Sequence, residues 1–353
     1  MTTKIPPELV DDQVFGRKNV IINGSMQVAQ RGTSTADLGG SGVNKFGACD
    51  RWKIVTNGIS GRLTQSQETD SPDNFGFSTK LACTTADTSI GASDYLILQY
   101  DVEGQDLKRF AKGTSSAKEF TISFFVKGNA SATYTLELYD TDNNRQISKT
   151  YSVTTSWTRV ELTYPADTTG ANNADSTSGL SIKFWLHAGT DRTSGTLNSS
   201  AWGAGLNTAN RVSSSSTNFF DSTSRTFFIT GVQLEVGSQA TPFEHLTFGE
   251  ELSLCQRYFT NIAYNTTWFM DAYLGADHYS TQNLIFPTQM RASPTNNPAI
   301  DKSDFTRSNV TESELKVHVT GKNGFIFQMR AVSTGRTYVL ANTTGNLSFD
   351  AEI

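Results

Sequence analysis

Charge is scarce along this 353-residue chain, and positive charge is never concentrated in one segment. Charged residues make up 18% of the sequence, and the formal net charge is −5. Proteins that bind nucleic acid usually carry clustered lysines and arginines that neutralise a series of phosphates. We therefore expect no nucleic-acid partner.

Long apolar stretches are also missing. A helix that crosses a bilayer needs about 20 consecutive, mostly apolar residues, and the sequence has no such stretch. Its first residues, MTTKIPPELVDDQ, have neither the basic start nor the apolar core of a secretory signal. The expectation is a chain made and folded in a cytoplasm, without membrane insertion.

Cysteine is rare, and its spacing matches no metal or redox motif. Cys49, Cys83 and Cys255 are the three cysteines, and we expect them to be reduced and mostly buried. The four histidines are far apart in sequence, and there is no G-x-S-x-G nucleophile motif. No carboxylate pair can be placed by spacing across a sugar. We predict that the protein is not an enzyme and has no catalytic or metal-binding residues.

One acidic segment, Asp140-Thr141-Asp142-Asn143-Asn144, begins like a calcium loop. Arg145 stands where the loop needs glycine, and Tyr151 stands where it needs a bidentate glutamate. The segment is therefore predicted to be a hairpin turn. No cofactor is predicted, although a calcium site built from separated carboxylates stays open.

What the sequence does contain is typical of β-structure. Aromatic residues reach 11%, with 22 phenylalanines, and they suit pleated sheets, while Gly, Asn and Ser suit the turns between them. Alternating or apolar segments recur at residues 20–22, 95–100, 120–126, 134–139, 157–164, 181–186 and 226–234. About eight strands separated by turns predict an all-β, two-sheet sandwich.

The pattern divides the chain into four parts. Residues 1–19, which contain Pro6-Pro7, are predicted to form an extended arm, and residues 20–246 the sandwich. Residues 247–260 are predicted to form a linker helix, with Phe248, Leu252, Cys255 and Phe259 on one apolar stripe. Residues 261–353 return to strand patterns and are predicted to form a smaller β-domain.

Two long polar stretches, residues 165–179 and 187–218, are unusual for a compact domain. They are either a binding rim or subunit contact, or mobile surface loops. Sugar binding needs exposed aromatic faces with amide groups nearby, which selects candidate ligand-binding residues Trp185, His187, Trp202, Asn198 and Asn207. The alternative for Trp202 is a plug over the core. Trp52 and Trp157 are expected to be core residues.

Five segments in order resemble one family. They are residues 19–33 (NVIINGSMQVAQRGT), 49–52 (CDRW), 231–244 (GVQLEVGSQATPFE), 251–259 (ELSLCQRYF) and 286–294 (FPTQMRASP). Together they resemble phage virion structural and tail-fibre-like proteins of the marine phage type, over residues 19–294.

This resemblance implies a galactose-binding-like jelly roll, related to carbohydrate-binding domains and usually assembled as a homotrimer. It carries over no catalytic residues, and the shared motifs look like elements that hold the fold. We expect Arg31, Asp50 and Arg51 to be paired where they are buried, and Gly231 to occupy a crowded strand start.

Two functions therefore compete at this point. In the first, the chain is a tail-fibre or appendage subunit of a virion that presents the jelly roll to a host surface glycan for attachment. In the second, it is a purely architectural virion protein, such as a head decoration, baseplate or adaptor piece. The expected partners are further copies of itself and, through the N-terminal arm, other phage particle proteins.

Overall fold

The computed structural model describes residues 17–205, 207–264, 269–295, 297–298 and 300–353. The chain divides into two compact units, residues 1–247 and 248–353. The predicted boundary between sandwich and helix, 246/247, lies beside this division. Most of the predicted arm lies outside the described residues.

The first unit contains two antiparallel sheets. In chain order its strands are β1 (Ser34–Gly39), β2 (Asn44–Phe46), β3 (Lys53–Asn57), β4 (Arg62–Glu68), β5 (Ser78–Thr85), β6 (Tyr95–Glu103), β7 (Phe120–Gly128), β8 (Ala132–Asp140), β9 (Arg145–Val153), β10 (Thr158–Tyr164), β11 (Ser178–Ala188), β12 (Gly203–Ala204) and β13 (Thr226–Val236). The six-stranded sheet has the order β1-β4-β5-β13-β7-β10, and the seven-stranded sheet has the order β12-β9-β8-β11-β6-β3-β2.

The chain passes repeatedly between these two sheets. It goes from β6 in the seven-stranded sheet to β7 in the six-stranded sheet, returns for β8 and β9, and crosses again at β10 and β11. Such crossings between two packed sheets are typical of a jelly roll. The predicted all-β fold class is confirmed, with 44% of residues in strands and 9% in helices.

Aromatic side chains from both sheets meet in the core of the first unit. Phe124 of β7 packs edge-to-face on Phe184 of β11 with ring centroids 5.1 Å apart, and Trp52 lies 6.1 Å from Phe184. All three are fully buried. The alternating segments of β7 and β11 thus place their apolar faces inward, which stabilises the sandwich by roughly 1.5–3 kcal/mol per large side chain.

The two ends of the first unit are joined by hydrogen bonds. The Glu244 carboxylate accepts the backbone N–H groups of Lys18, at 3.2 Å, and Asn19, at 2.8 Å. The buried Asn19 amide in turn donates to the Val232 carbonyl and accepts from the Leu234 N–H. The family-like segments 19–33 and 231–244 therefore hold the fold together.

One predicted strand in this unit is wrong. Residues Val20, Ile21 and Ile22 are buried but form no strand. The N–H of Ile21 donates to the Asn19 side chain, and the N–H of Ile22 donates to the Tyr100 hydroxyl. Side-chain acceptors replace a ladder here, and an apolar run alone does not reveal them.

The second unit is a smaller β-structure that begins with a helix. Helix α1 (Thr190–Thr193) belongs to the first unit, and α2 (Phe248–Gln256) opens the second. The strands are β14 (Phe259–Tyr264), β15 (Phe269–Leu274), β16 (Tyr279–Ile285), β17 (Phe305–Ser308), β18 (Lys316–Val319), β19 (Gly324–Arg330), β20 (Gly335–Ala341) and β21 (Gly345–Asp350). They pair as β14-β21, β15-β20-β17 and β16-β19-β18.

The predicted stripe on the helix is partly wrong. Phe248 is 56% exposed, and Phe259 lies in β14 beyond the end of the helix, whereas Cys255 and Glu251 are buried. The core of this unit instead gathers around Phe349, whose ring lies 4.7 Å from that of Phe325 and 4.8 Å from that of Phe286.

Candidate functional site

Two of the predicted ligand-binding residues point away from solvent. Trp185 is 2% exposed, and its indole N–H donates to the Glu137 carboxylate at 2.8 Å. His187 is 1% exposed, contacts Asn218, and packs edge-to-face on Phe220. Burial lowers the pKa of His187 below its ordinary value. The expectation that these rings present a face to a sugar is therefore wrong.

Trp202 is also buried, at 8% exposure. Its indole N–H donates to the Pro165 carbonyl at 2.9 Å, and its ring contacts Phe120 at 6.1 Å. Of the two alternatives, the plug over the core is therefore the correct one. Asn198 donates to the Gln146 carbonyl at 2.8 Å, and Asn207 is exposed. These contacts do not bring the five predicted residues together in one site.

Trp185, His187 and Trp202 are buried because the second long polar stretch, residues 187–218, lies against the seven-stranded sheet. Arg211 from this stretch reaches the buried Glu137 carboxylate at 3.5 Å and lies over the Tyr139 ring at 4.8 Å. Lys183 of β11 lies 4.1 Å from the centroid of the same ring. Burial lowers the pKa of Lys183, and the nearby Glu137 opposes the shift. This part of the sheet therefore holds paired charges in a buried environment.

The acidic turn that begins like a calcium loop lies between β8 and β9, as predicted. Lys112 reaches it with a nearly buried ammonium group, which contacts Asp140 and lies 3.1 Å from the Asp167 carboxylate. The ammonium also donates to the carbonyls of Gly170, at 2.7 Å, and Thr169, at 3.1 Å. A side-chain cation thus occupies the centre of four oxygen ligands. Within the described residues, no group of three or more His, Cys, Asp or Glu is arranged to hold a metal ion.

Sequence reasoning missed a pocket at the outer face of the six-stranded sheet. The pocket has a volume of about 400 Å³, which lies within the usual range for small-ligand sites. Its lining residues come from the β4–β5 loop, from β7 and β10, and from the segment after β13. They are Asp73, Asn74, Phe75, Phe125, Arg159, Pro242, Phe243 and His245.

Aromatic rings form much of this wall. The Phe75 ring lies 5.4 Å from Phe125, 5.1 Å from Phe243 and 5.1 Å from His245, and Phe243 and His245 are 4.9 Å apart. Phe75, Phe125 and Phe243 are half-buried, and His245 is exposed. Half-buried rings beside an open cavity can stack on the apolar face of a ligand.

A glycine in β13 makes room for this arrangement. Gly231 has a φ of +63°, and a Cβ atom at this position would lie 2.7 Å from the Phe75 ring and 3.0 Å from Phe125. The register of β13 against β7 also shifts between Thr230 and Gln233. The crowding expected around Gly231 is therefore present beneath the pocket's aromatic wall, but Gly231 lies inside β13 and not at its start.

Polar groups form the rest of the pocket. One Arg159 nitrogen donates to the Thr241 carbonyl at 2.6 Å, and another forms a 3.0 Å ion pair with Glu161. Asp73 and Asn74 are exposed on the β4–β5 loop. The pocket therefore combines apolar faces with an amide, a carboxylate and a guanidinium, which are groups that bind hydroxyls.

The aromatic residues of this pocket had weak sequence signals. Phe75 lies within the polar turn segment SPDNFGF, and Phe243 belongs to a segment whose role is to hold the fold. The expected core position of Trp157 was also wrong, because the structure has it only partly buried. A large aromatic residue inside a polar turn was the available signal.

Comparison with known proteins gives no family. No family model matches the sequence, and no curated protein matches it. Solved structures with partial similarity include the enzymatically active domain of bacteriophage CBA120 tailspike protein 4, at 12% identity and a TM-score of 0.32 over 62% of this chain. The chain spans only 21% of that tailspike domain.

Carbohydrate-binding modules are also among these structures. A family 11 module from Clostridium thermocellum, in complex with a mixed-linked tetrasaccharide, matches over 60% of this chain and 99% of its own, at 13% identity and a TM-score of 0.29. TmCBM61 in complex with β-1,4-galactotriose matches over 63% of this chain and all of its own, at 10% identity and a TM-score of 0.30. These values are too low to assign a family or a function.

None of the described helices is long and apolar enough to cross a bilayer. The three cysteines are buried, as expected. Burial raises the pKa of Cys49 to about 12, so this thiol is not a nucleophile at neutral pH.

Proposed function

We propose that the protein is a glycan-binding structural subunit of a bacteriophage particle, and that the pocket around Phe75 is its binding site. The observation that carries the binding proposal is the combination of three half-buried phenylalanines and an exposed histidine with Asp73, Asn74 and Arg159 around one cavity. Sugars present apolar C–H faces and hydroxyl edges, and this wall offers a partner to each.

The particle role rests on a different observation. Five ordered sequence segments resemble phage virion proteins, and two of them, 19–33 and 231–244, join the two ends of the sandwich. In this proposal the chain is part of the virion, as a tail-fibre or appendage subunit that assembles as a homotrimer. The N-terminal arm attaches it to other particle proteins.

The binding proposal is tested on a microarray of bacterial surface polysaccharides with the wild-type protein and Phe243→Ala. Loss of one stacking ring costs about 1.5–3 kcal/mol of binding, so we expect roughly 10- to 150-fold weaker binding. Tyr273→Ala is the matched control, since it removes a 78% exposed ring from the second unit.

Three results are informative. Equal binding by Phe243→Ala and wild type would place the site elsewhere. Failure of the wild type to bind any polysaccharide would favour the purely architectural virion protein. Mass spectrometry of purified particles tests the particle role, which fails if the chain is absent from them.

A further inference from the structure

A second aromatic surface lies beside the pocket on the same sheet. Strand β10 pairs with β7 so that Arg159 is opposite Phe125, and both residues line the pocket. Trp157 is two residues before Arg159, immediately ahead of β10. Side chains two residues apart on a strand share a face and are separated by about 7 Å. Trp157 is therefore about 7 Å along the face from the pocket's arginine.

Trp157 differs from the other tryptophans that the structure describes. Trp52, Trp185 and Trp202 are at most 8% exposed, whereas Trp157 is partly exposed. Its ring meets Phe228 edge-to-face at 6.2 Å, and the Lys127 ammonium lies 5.4 Å from its centroid. These contacts fix the ring on the outer face of the sheet.

The β4–β5 loop links this tryptophan to the pocket. At one end of the loop, Asp70 accepts the indole N–H of Trp157 at 3.0 Å and forms an ion pair with Lys127. Five residues later, Phe75 forms the aromatic wall of the pocket. One loop thus positions both aromatic surfaces, so they keep a fixed relation to each other.

Three basic side chains along this face are each paired with a carboxylate. Lys127 pairs with Asp70, Arg159 pairs with Glu161 at 3.0 Å, and the Lys80 ammonium lies 3.9 Å from Glu68. Each cation has a neighbouring carboxylate, so the face offers little net charge to an anionic chain. A ligand here is held by stacking and hydrogen bonds rather than by long-range attraction.

We propose that Trp157 and the pocket are two neighbouring subsites of one strip, which binds an uncharged glycan chain of at least two sugar units. The proposal rests on the glycan-binding function above and adds to it the length and charge of the ligand. A pocket alone fits the end of a chain, whereas a strip also gains binding energy from the next unit.

The test compares ligands of different length by titration calorimetry. The probes are monosaccharides and linear tetrasaccharides of glucose, galactose, mannose and N-acetylglucosamine. For a sugar that binds, we expect the wild type to prefer the tetrasaccharide by at least about tenfold, which corresponds to one added stacking contact of about 1.4 kcal/mol. Trp157→Ala should remove most of this preference, whereas Phe243→Ala should weaken the binding of both probes.

A second variant, Trp157→Phe, controls for misfolding of Trp157→Ala. Trp157→Phe keeps an aromatic ring beside Phe228 but removes the indole. It should abolish the change in tryptophan fluorescence that the tetrasaccharide causes in the wild type. Tyr273→Ala should bind both probes as the wild type does.

The results separate this inference from the function on which it rests. If no probe binds, and no polysaccharide binds on the array, the glycan-binding function falls and this inference falls with it. If a monosaccharide binds as tightly as its tetrasaccharide, or Trp157→Ala keeps the preference, only the strip is rejected. Stronger binding of anionic than of neutral polysaccharides on the array, if it is lost between about 0.05 and about 0.5 M salt, would reject the uncharged ligand.

Discussion

Replacement of Lys112 by methionine should destabilise the first unit more than any ordinary surface substitution. The side chain of Lys112 is 8% exposed, and its two carboxylate partners, Asp140 and Asp167, are 0% and 4% exposed. Methionine keeps most of the length of the side chain and removes its charge. Two carboxylates would then share a buried site without their common cation.

The size of this loss depends on the hydrogen bonds that Asp140 and Asp167 keep without the lysine. Loss of one partner from a buried ion pair typically costs about 3–5 kcal/mol. Asp167 keeps a bidentate contact to Arg145, at 2.8 and 2.9 Å, and Asp140 keeps the side-chain amides of Asn143 and Asn172. Because these donors remain, we expect a loss near the lower end, about 3 kcal/mol.

Urea denaturation monitored by tryptophan fluorescence measures this loss, since four of the five tryptophans precede residue 248. Lys118→Met, at an exposed position, is the control and should change the free energy of unfolding by less than about 0.5 kcal/mol. If Lys112→Met loses no more than the control, the carboxylates are satisfied without the ammonium, and the reasoning is wrong.

The Lys112 site also gives a prediction about calcium binding. Lys112→Ala would leave two carboxylates and two carbonyls around an emptied centre, and Ca²⁺ prefers oxygen ligands of this kind. Millimolar CaCl₂ should therefore raise the melting temperature of Lys112→Ala but leave the wild type and Lys112→Met unchanged.

Three further outcomes are expected. Gly231 has a φ of +63°, and a Cβ atom there would clash, so Gly231→Ala should lower the free energy of unfolding by at least about 2 kcal/mol and weaken glycan binding. Gly237 has a φ of +122°, but no atom lies within 4 Å of a Cβ built there. Gly237→Ala therefore introduces backbone strain without a clash, and it should bind glycan normally. The hydrogen bond from Lys127 lowers the pKa of Asp70, so its contribution to stability is complete above the ordinary carboxyl pKa of about 3.9 and is lost as the pH falls through the lower folded value. Acid titration of Trp157 fluorescence should show this step in the wild type, and its persistence in Asp70→Asn would contradict the assignment. Light scattering should give the mass of a trimer, and a monomeric mass for the intact chain would count against the fibre proposal.

The regular part of the fold was predictable because it depends on local pattern. The alternation of Phe120, Ile122 and Phe124 places these side chains in the core, and β7 includes all three. The strands β1, β2 and β12 lie at sheet edges, are short or polar, and gave no such signal. Their pairing depends on neighbours distant in sequence, and local pattern does not contain that information.

The candidate site was less predictable for a related reason. A tryptophan between small residues looks exposed in sequence, but Trp202 finds the Pro165 carbonyl and a place against Phe120 only after folding. Phe75 is the opposite case, since it lies in a polar turn segment that gave no sign of its place in the aromatic wall of the pocket. In both cases, contacts with residues far away in sequence decide exposure.

The bonds from Glu244 to the backbone of Lys18 and Asn19 have a mechanical consequence. The chain enters and leaves the sandwich at the same point, so the two ends of this unit lie side by side. Tension along the polypeptide would pass from Lys18 to Glu244 without crossing either sheet. The first bonds to carry a pulling force would include those of the Glu244 carboxylate and of the Lys18 ammonium, which donates to Thr241 and Pro242, while the sheets stayed unloaded until these bonds broke.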